Sequence, residues 1–241
     1  SSDLISRIGL DGTVETWNET NGFPDDDVSD IAVDGSGVYW LGLSAGLLKW
    51  ENGSYTLLDK DTHPNVIDFF GPDHVETAAD GTLWLGFTSS LCHFDPATLT
   101  CIEQLDLEDD LGFPAFSSLG RLEVLADGRI LVHTYNEGTA YFDGTTWTRY
   151  ALENEAPSNF FDGLLQTSDG TVYAYGEGLF STDVTAAAWA PLPNMYPEDE
   201  VEAADGTLWL VSGRSVSQFT GAQLLTWDTD DGLLDTSYNR I

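Results

Sequence analysis

Residues 22–50 read GFPDDDVSDIAVDGSGVYWLGLSAGLLKW and contain most of a unit that recurs along the chain. A short apolar strand is followed by an Asp-Gly turn, a second strand rich in aromatic and aliphatic residues, a turn of small residues and a third strand. Short strands bounded by Asp-Gly signals are typical of antiparallel hairpins. We predict four strands in this repeat, at roughly 28–33, 38–43, 46–51 and 54–59.

The same pattern occurs five times along the chain. Successive Asp-Gly turns are roughly 36 to 47 residues apart, which is the period of a repeat architecture. A large apolar residue recurs in each second strand. The turns begin at Asp34, Asp80, Asp127, Asp169 and Asp205, and the recurring apolar residues are Trp40, Trp84, Leu131, Tyr173 and Trp209.

A sheet of four short strands cannot bury both its faces alone, so neighbouring repeats must stack face to face around an axis. We therefore predict an all-β fold, a β-propeller of four-stranded antiparallel blades. The first two strands of each blade should be buried, with the polar fourth strand at the rim. Residues 1–241 are expected to form a single domain with five complete blades, at about 28–60, 72–105, 119–151, 162–192 and 199–228.

The two ends of the chain predict a partial sixth blade. Residues 5–18 align with the third and fourth strands of a repeat, with Gly12 at the hairpin turn, and residues 236–241 align with the start of a first strand. A blade assembled from both ends would cover the edge strands of its neighbours. Its second strand is missing, so we expect a continuation beyond Ile241, a strand from another chain, or an incomplete closing blade.

The net negative charge of the chain limits which molecules it can bind. The chain holds 41 Asp and Glu residues against 8 Lys and Arg residues, a net charge of −33. Nucleic acids and anionic lipids are bound by neutralising their phosphates with basic side chains, so both are excluded as partners. No run approaches the roughly 20 apolar residues of a transmembrane helix, so no membrane insertion is expected in this segment. The acids are spread along the whole chain, which favours a role in surface chemistry or in attracting cations or a basic partner.

Cys92 and Cys101 lie in LCHFDPATLTCIEQL, where two β-rich runs flank a turn that contains proline. An antiparallel hairpin would bring the two cysteines near each other, so we predict a cross-strand disulfide. Two buried free thiols are the alternative. If the disulfide forms, it implies an oxidising compartment.

The repeats resemble the two-component regulator propeller family, whose members include extracytoplasmic sensor regions of bacterial signalling proteins and related secreted bacterial proteins. Residues 22–50 match its pattern almost throughout, and DGTLWLGF and DGTLWLVS match it well. Leu131 and Tyr173 replace the tryptophan of the pattern in the third and fourth repeats. The resemblance implies a secreted, cell-surface or periplasmic propeller, and a sensory role as part of a signalling protein is one function that it suggests.

Ligands of propellers usually bind on the face that gathers the loops between blades and the loops between second and third strands. Aromatic rings there offer apolar area to a sugar ring or a π face to a cation, and carboxylates bind hydroxyls or positive charge. We therefore expect a carbohydrate, a cationic small molecule or a basic peptide as ligand; alternatively, most of the rings fill gaps between blades. The candidate ligand-binding residues are Phe23, His63, Phe69, Phe70, Phe113, Phe116, Tyr135, Phe160, Phe161 and Tyr196, with Asp25, Asp26, Asp110, Glu137 and Asp162 nearby.

No cofactor and no catalytic residue are predicted. The acidic loops at 24–30, 106–112 and 228–232 make Ca²⁺ a candidate, but none has the full alternating spacing with a distal Glu, and acids also serve turns. The four histidines lack metal-ligand spacing. A ligand- or protein-binding module is therefore favoured over two alternatives, a polysaccharide-active lyase or hydrolase on the same face and a structural cell-surface subunit that self-associates by strand addition at open blade edges.

We expect added salt to stabilise the protein. The chain has a net charge of −33, so its carboxylates repel one another in the folded state. Salt screens this repulsion, because the Debye length falls from about 10 Å at 0.1 M salt to about 3 Å at 1 M. The melting temperature should therefore rise over this range of sodium chloride, measured by circular dichroism. An equal rise in potassium chloride would separate screening from the binding of one cation, and a flat response in both salts would contradict self-repulsion.

Overall fold

The computed structural model is all-β. Its described residues contain strands and one 3-10 helix, Thr229–Asp231, but no α-helix. Nor do they contain a helix long and apolar enough to cross a membrane. The structure describes residues 5–8, 11–18, 20, 22–25, 27–67, 70–115, 117–135, 137–150, 161–176, 178–182, 190–192, 196–221 and 223–234.

The chain divides into two compact units, Ser1–Asp110 and Leu111–Ile241. The first unit contains an antiparallel hairpin of β1 (Ile5–Ile8) and β2 (Val14–Trp17), followed by two four-stranded sheets. The strands of these sheets are β3 Val28–Val33, β4 Tyr39–Leu43, β5 Gly46–Glu51 and β6 Ser54–Leu58, then β7 His74–Thr77, β8 Leu83–Gly86, β9 Ser90–Asp95 and β10 Thr100–Asp106.

The second unit contains three four-stranded sheets. The first comprises β11 Leu119–Val124, β12 Ile130–Thr134, β13 Gly138–Phe142 and β14 Trp147–Tyr150. The second comprises β15 Phe161–Gln166, β16 Val172–Gly176, β17 Leu179–Thr182 and β18 Ala190–Leu192. The third comprises β19 Asp199–Glu202, β20 Leu208–Ser212, β21 Ser215–Phe219 and β22 Leu224–Trp227.

Each of the five sheets pairs its strands in chain order, and every pair is antiparallel. The predicted fold class, four-stranded antiparallel blades, is therefore confirmed. The hairpin β1–β2 has the paired strands predicted for residues 5–18. Residues 236–241 lie outside the described residues, so the closing blade and the single-domain organisation stay predictions.

The second strand of a sheet is the most buried. Trp40 and Leu41 in β4 and Leu83 and Leu85 in β8 have no exposed surface, because neighbouring strands occupy both edges of these strands and apolar side chains pack against them. The first strand is less buried than expected from the sequence. In β3, Ile31 is half exposed, because this strand lies at the edge of its sheet.

Aspartate side chains hold the turns between first and second strands. The Asp34 carboxylate accepts hydrogen bonds from the amide groups of Ser36 (2.8 Å) and Val38 (3.1 Å) and from the indole of Trp40 (2.9 Å). Asp80 accepts from the hydroxyl (2.6 Å) and the amide (3.0 Å) of Thr82. These bonds hold the pKa of Asp80 below its usual value. Local bonds of this kind are the reason that Asp is favoured in such turns.

A disulfide joins Cys92 in β9 to Cys101 in β10, with their Cα atoms 5.5 Å apart. The sulfur of Cys92 lies in the core of the first unit, among residues that include Trp40, Val75 and Phe94. The predicted pairing of the two cysteines is thus present in the structure, and it closes the outer hairpin of the second sheet.

The two sheets of the first unit are tied together by backbone and side-chain contacts near Gly71. The Gly71 amide donates to the carbonyl of Ser44, and the Ser29 hydroxyl donates to the carbonyl of Pro72 at 2.7 Å. A Cβ atom at position 71 would overlap the carbonyl oxygens of Leu43 and Gly46. Only glycine fits at this approach.

We expect Gly71→Ala to destabilise the protein by about 1–3 kcal/mol, because the added methyl group must displace backbone atoms. The matched control is Gly35→Ala, since a Cβ at Gly35 meets nothing within 4 Å and its backbone does not require a positive φ. Urea denaturation of the two variants measures the difference. Equal stability of the two variants would contradict the close approach at position 71.

Candidate functional site

A groove lies on the first unit between the segment that leads into β7 and the turn that joins β8 to β9. Both segments belong to the loop face predicted from the sequence. The groove has a volume of about 280 Å³, just below the range typical of ligand pockets. Its lining residues are Pro64, Asn65, Val66, Phe70, Gly71, Phe87, Thr88, Ser89, Ser90 and Gln104.

The described residues that line this groove are uncharged. They combine two phenyl rings, those of Phe70 and Phe87, with two side-chain amides and three hydroxyls. Amides and hydroxyls both donate and accept hydrogen bonds, whereas rings supply flat apolar area. In a chain with a net charge of −33, the described lining carries no carboxylate. The groove therefore suits a neutral ligand with many hydroxyl groups.

A compact turn holds one wall of the groove. The carboxylate of Asp59 accepts hydrogen bonds from the amide groups of Asp61 (3.0 Å) and Thr62 (2.8 Å). The amide groups of Val66 (3.0 Å) and Ile67 (2.9 Å) then donate to the carbonyl of His63. Both Val66 and Ile67 are buried in the core. This anchored turn leads into the segment that carries Phe70, which is 72 % exposed.

The second unit has a smaller groove of about 130 Å³ at the equivalent place of its last sheet. In this groove Thr226 of the fourth strand pairs with Ser217 of the third strand. Gln104 and Cys92 form the corresponding pair of fourth and third strands in the first groove. The rim of the smaller groove carries Tyr196, which is 64 % exposed. The lining residues are Tyr196, Pro197, Leu210, Ser212, Ser215, Ser217, Leu224 and Thr226, and none of them is charged.

Two of the predicted ligand-binding aromatics are interior residues. Phe23 is buried against the rings of Trp50 and Tyr55, and Phe113 is buried beneath the guanidinium of Arg149. Neither ring is available to a ligand, because the packing of its own unit covers it. For these two rings the alternative interpretation, in which rings fill space within the fold, describes the structure.

The remaining predicted residues are distributed as follows. Phe70 lies in the first groove and Tyr196 in the second. His63 belongs to the turn behind the first groove, where its Nδ1 atom is 3.0 Å from the Thr62 hydroxyl. Tyr135 is partly exposed in the turn after β12. Phe69, Phe116 and Phe160, the side chains of Phe161 and Asp162, and Asp26 lie outside the described residues.

One described acid in each candidate calcium loop accepts hydrogen bonds that hold a turn or a helix end. Asp25 accepts hydrogen bonds from the hydroxyl of Ser44 and the amide of Ala45, each at 2.7 Å. Asp106 accepts from the amide of Glu108 at 2.8 Å, and Asp228 caps the 3-10 helix. Among the described residues, no three His, Cys, Asp or Glu side chains converge as a metal site. Calcium binding stays a prediction.

Several lining residues were not identified from the sequence. Phe87, Thr88, Ser89 and Ser90 follow directly after the LWLG motif of β8, so the expected position of the loop between second and third strands could have found them. Gln104 could not be found in this way, since it lies within the outer strand β10 and its direction depends on a bulge.

A half-buried glutamate in the second unit, whose Oε2 atom is inaccessible to solvent, was also not identified. Glu200 in β19 precedes the residue paired with Trp209. This position is apolar in the other four sheets, where it holds Ile31, Val75, Leu122 or Leu164. The Glu200 side chain has an Oε2 atom with no hydrogen-bond partner among the described residues.

The surroundings of Glu200 favour its neutral form. Burial raises the pKa of Glu200 to about 8, and the carboxylates of Asp199 and Glu123 add to the shift. Arg121 and a hydrogen bond with Tyr175 oppose it. The Tyr175 ring occupies the space next to Gly163 that any other side chain would fill. Glu200 is thus protonated at neutral pH, which is how a carboxyl can occupy an apolar position.

No protein-family model and no curated protein matches this chain. Solved structures resemble it along most of its length. The extracellular domain of a hybrid two-component system from B. thetaiotaomicron is 14 % identical with a TM-score of 0.66, and the match covers 93 % of this chain and 33 % of that domain. This chain therefore spans about a third of the length of that protein.

Two other solved structures that resemble this chain belong to proteins with different functions. Virginiamycin B lyase from Staphylococcus aureus is 15 % identical with a TM-score of 0.73, over 94 % of this chain and 78 % of the lyase. PorZ, a surface component of the type-IX secretion system of Porphyromonas gingivalis, is 13 % identical with a TM-score of 0.64, over 97 % and 38 %. At such identities the likeness shows the fold alone, and the fold of this chain is a β-propeller.

We expect Glu200→Gln to change the pH dependence of stability. Between the usual carboxyl pKa of 4.5 and the raised value of about 8, the unfolded state binds fewer protons than the folded state, so stability falls as pH rises. Glutamine resembles the protonated carboxyl. The variant should therefore match the wild type near pH 4.5 and become progressively more stable than it towards pH 8.

Urea denaturation at a series of pH values measures this difference. The control is Glu108→Gln, since Glu108 is exposed and this variant also removes one carboxylate from the chain. Parallel profiles for wild type and Glu200→Gln would show that this carboxyl titrates at its ordinary pKa.

Proposed function

We propose that this chain is an extracytoplasmic binding module that recognises a neutral carbohydrate in the groove between the segment entering β7 and the turn after β8. The observation that carries the proposal is that the described lining of this groove is uncharged and places an exposed phenyl ring beside amides and hydroxyls, in a chain with a net charge of −33. The smaller groove of the second unit offers a second place for the same class of ligand.

The chemistry of the lining distinguishes between the candidate ligands. A cationic molecule or a basic peptide would need carboxylates at the contact, and the described lining contains none. An anionic saccharide would be repelled by the surrounding negative charge. A neutral sugar meets neither obstacle, because Phe70 can stack against its apolar face while Asn65 and Gln104 bond its hydroxyls.

The same lining favours binding over catalysis. Lyase and hydrolase chemistry requires groups that transfer protons, most often His, Asp or Glu. None of these lines the described part of either groove. The fold that this chain shares with virginiamycin B lyase does not supply such groups, because function depends on the site and not on the fold.

Two observations support the extracytoplasmic location. A disulfide between Cys92 and Cys101 is of the kind that persists in oxidising compartments. The similar structures include the extracellular domain of a two-component system and a bacterial surface component. A sensory role within a signalling protein is consistent with the first of these.

The test is a binding panel of short oligosaccharides measured by isothermal titration calorimetry. It includes neutral cello-, xylo-, manno- and malto-oligosaccharides, anionic oligogalacturonides and cationic chitosan oligomers. We expect binding by at least one neutral member and weaker binding or none by the charged ones. Replacing Phe70 with alanine should weaken the neutral interaction about tenfold, which corresponds to roughly 1.4 kcal/mol.

The matched control is Tyr39→Ala. Tyr39 is an exposed aromatic at the start of β4 and does not line either groove, so its replacement should leave the affinity unchanged. Preferred binding of the chitosan oligomers would favour a cationic ligand instead. Release of shorter products from any panel member would show an enzyme, and binding that survives Phe70→Ala unchanged would place the ligand elsewhere.

A further inference from the structure

One position of the fourth strand is occupied differently in each of the five four-stranded sheets, which are counted here along the chain. It is defined by pairing with the third-strand residue that lies next to the recurring apolar position of the second strand. In the second sheet, Leu85 pairs with Cys92, and Cys92 pairs with Gln104. The residues at this fourth-strand position are, in sheet order, Leu57, Gln104, Arg149, Pro191 and Thr226.

Two sheets carry an uncharged polar residue at this position, and both have a groove. Gln104 lines the groove of the second sheet, and Thr226 lines the smaller groove of the fifth sheet. In each groove an aromatic residue from the segment that enters the sheet is exposed, Phe70 in one and Tyr196 in the other. A hydrogen-bonding side chain and an exposed ring therefore occur together in both linings.

In the third sheet the same position holds Arg149, whose side chain spans the corresponding place. Its guanidinium donates to the carbonyl of Gly112 (3.1 Å), in the segment that enters the sheet. It also donates to the carbonyl of Glu137 (3.0 Å), in the turn between the second and third strands. The guanidinium lies 5.1 Å from the centre of the Phe113 ring, which is buried. Arg149 thus joins the two segments and covers the aromatic residue of the entering segment.

In the first sheet this position holds Leu57. Its side chain packs against a buried apolar cluster that includes Phe23 and Leu48. Phe23 comes from the segment that enters this sheet, and its ring is buried. Because apolar side chains are stabilised by leaving water, a leucine at this position favours burial of the ring beside it.

The fourth-strand residue and the state of the ring vary together in these four sheets. Leucine or a bridging arginine occurs with a buried ring, whereas glutamine or threonine occurs with an exposed ring. Glutamine and threonine are shorter than arginine, and their polar atoms gain by staying in contact with water or a ligand. Neither residue provides an apolar surface or a bridge that would hold the ring against the sheet.

We infer that this fourth-strand position determines which sheets bind ligand, and that Gln104 is the specificity-determining residue of the groove in the first unit. Its amide leaves the ring of Phe70 available and bonds the hydroxyl groups of the ligand. Leu57 and Arg149 close the corresponding places in their own sheets. This inference deepens the proposed function and rests on it for the class of ligand, but the exposure of the ring can be measured without any ligand.

The first experiment measures the exposure of the Phe70 ring by nuclear magnetic resonance with a neutral, soluble gadolinium chelate. In the wild type, the ring protons should relax strongly through contact with the chelate. In Gln104→Leu, we expect a weaker effect and nuclear Overhauser signals between the ring and the methyl groups of the introduced leucine. Gln104→Arg should also weaken the effect, by covering the ring as Arg149 covers Phe113.

The control for this measurement is Ile102→Leu. Ile102 is exposed in the same strand and does not line the groove, so its replacement should leave the relaxation of the Phe70 ring unchanged. Relaxation of this ring that stays at the wild-type level in both Gln104→Leu and Gln104→Arg would overturn the inference.

The second experiment measures selectivity by titration with the best-binding neutral oligosaccharide and with the chitosan oligomers. Gln104→Leu should bind the neutral ligand about tenfold more weakly, a change of roughly 1.4 kcal/mol. Gln104→Glu keeps the shape of the side chain but adds a carboxylate, so the ratio of chitosan affinity to neutral affinity should rise about tenfold. A purely structural defect would weaken both ligands and leave this ratio unchanged.

The control for selectivity is Ile102→Glu, which adds the same charge to β10 outside the groove lining and should not change the ratio. If no oligosaccharide binds the wild type, the proposed function fails, and the relaxation measurement still decides whether position 104 controls the ring. If the wild type binds, but Gln104→Leu and Gln104→Glu keep its affinity and its selectivity, the role of Gln104 fails and the proposed function stands.

Discussion

The structure depends on one constraint: a sheet of four short strands cannot bury both of its faces by itself. The chain meets this constraint with a second strand that is apolar on both faces, as in β4 and β8, where Trp40 and Leu83 have no exposed surface. The turn before that strand must be tight and local, and the carboxylate of Asp34 satisfies its amide groups. The turn and the buried second strand are adjacent in sequence, and each restricts which residues can occupy it. The repeat is therefore easy to recognise in the sequence.

The groove is a consequence of the same arrangement. Because the strands of a sheet end together, the loops that enter a sheet and the turns after its second strand meet on one face. There the close approach of Gly71 to the backbone of Leu43 fixes one wall, and the residues after β8 form the other. Some of the acids hold turns, as Asp25 and Asp59 show, and the described lining of the groove carries no charge although the chain is strongly negative.

The sequence predicted the strands well because their boundaries are encoded locally, by glycine and aspartate at turns and by the apolar second strand. It predicted the site less well because exposure is a tertiary property. Phe23 and Phe70 look alike in sequence, but one is buried against Trp50 and the other lies on the groove. Gln104 depends on a bulge, and Glu200 depends on neighbours from other strands. No local sequence pattern predicts the position of Gln104 at the groove or the burial of the Glu200 carboxyl.

The order of the strands has a consequence for how the molecule acquires its structure. Each described strand pairs with the strand next to it along the chain, so the backbone bonds of a sheet form between segments only a few residues apart. Contacts of short sequence separation lower the entropy lost on closing loops and speed folding relative to other all-β topologies. The strands of one sheet can therefore begin to pair before distant parts of the chain have folded, and the apolar faces are covered when neighbouring sheets pack against them.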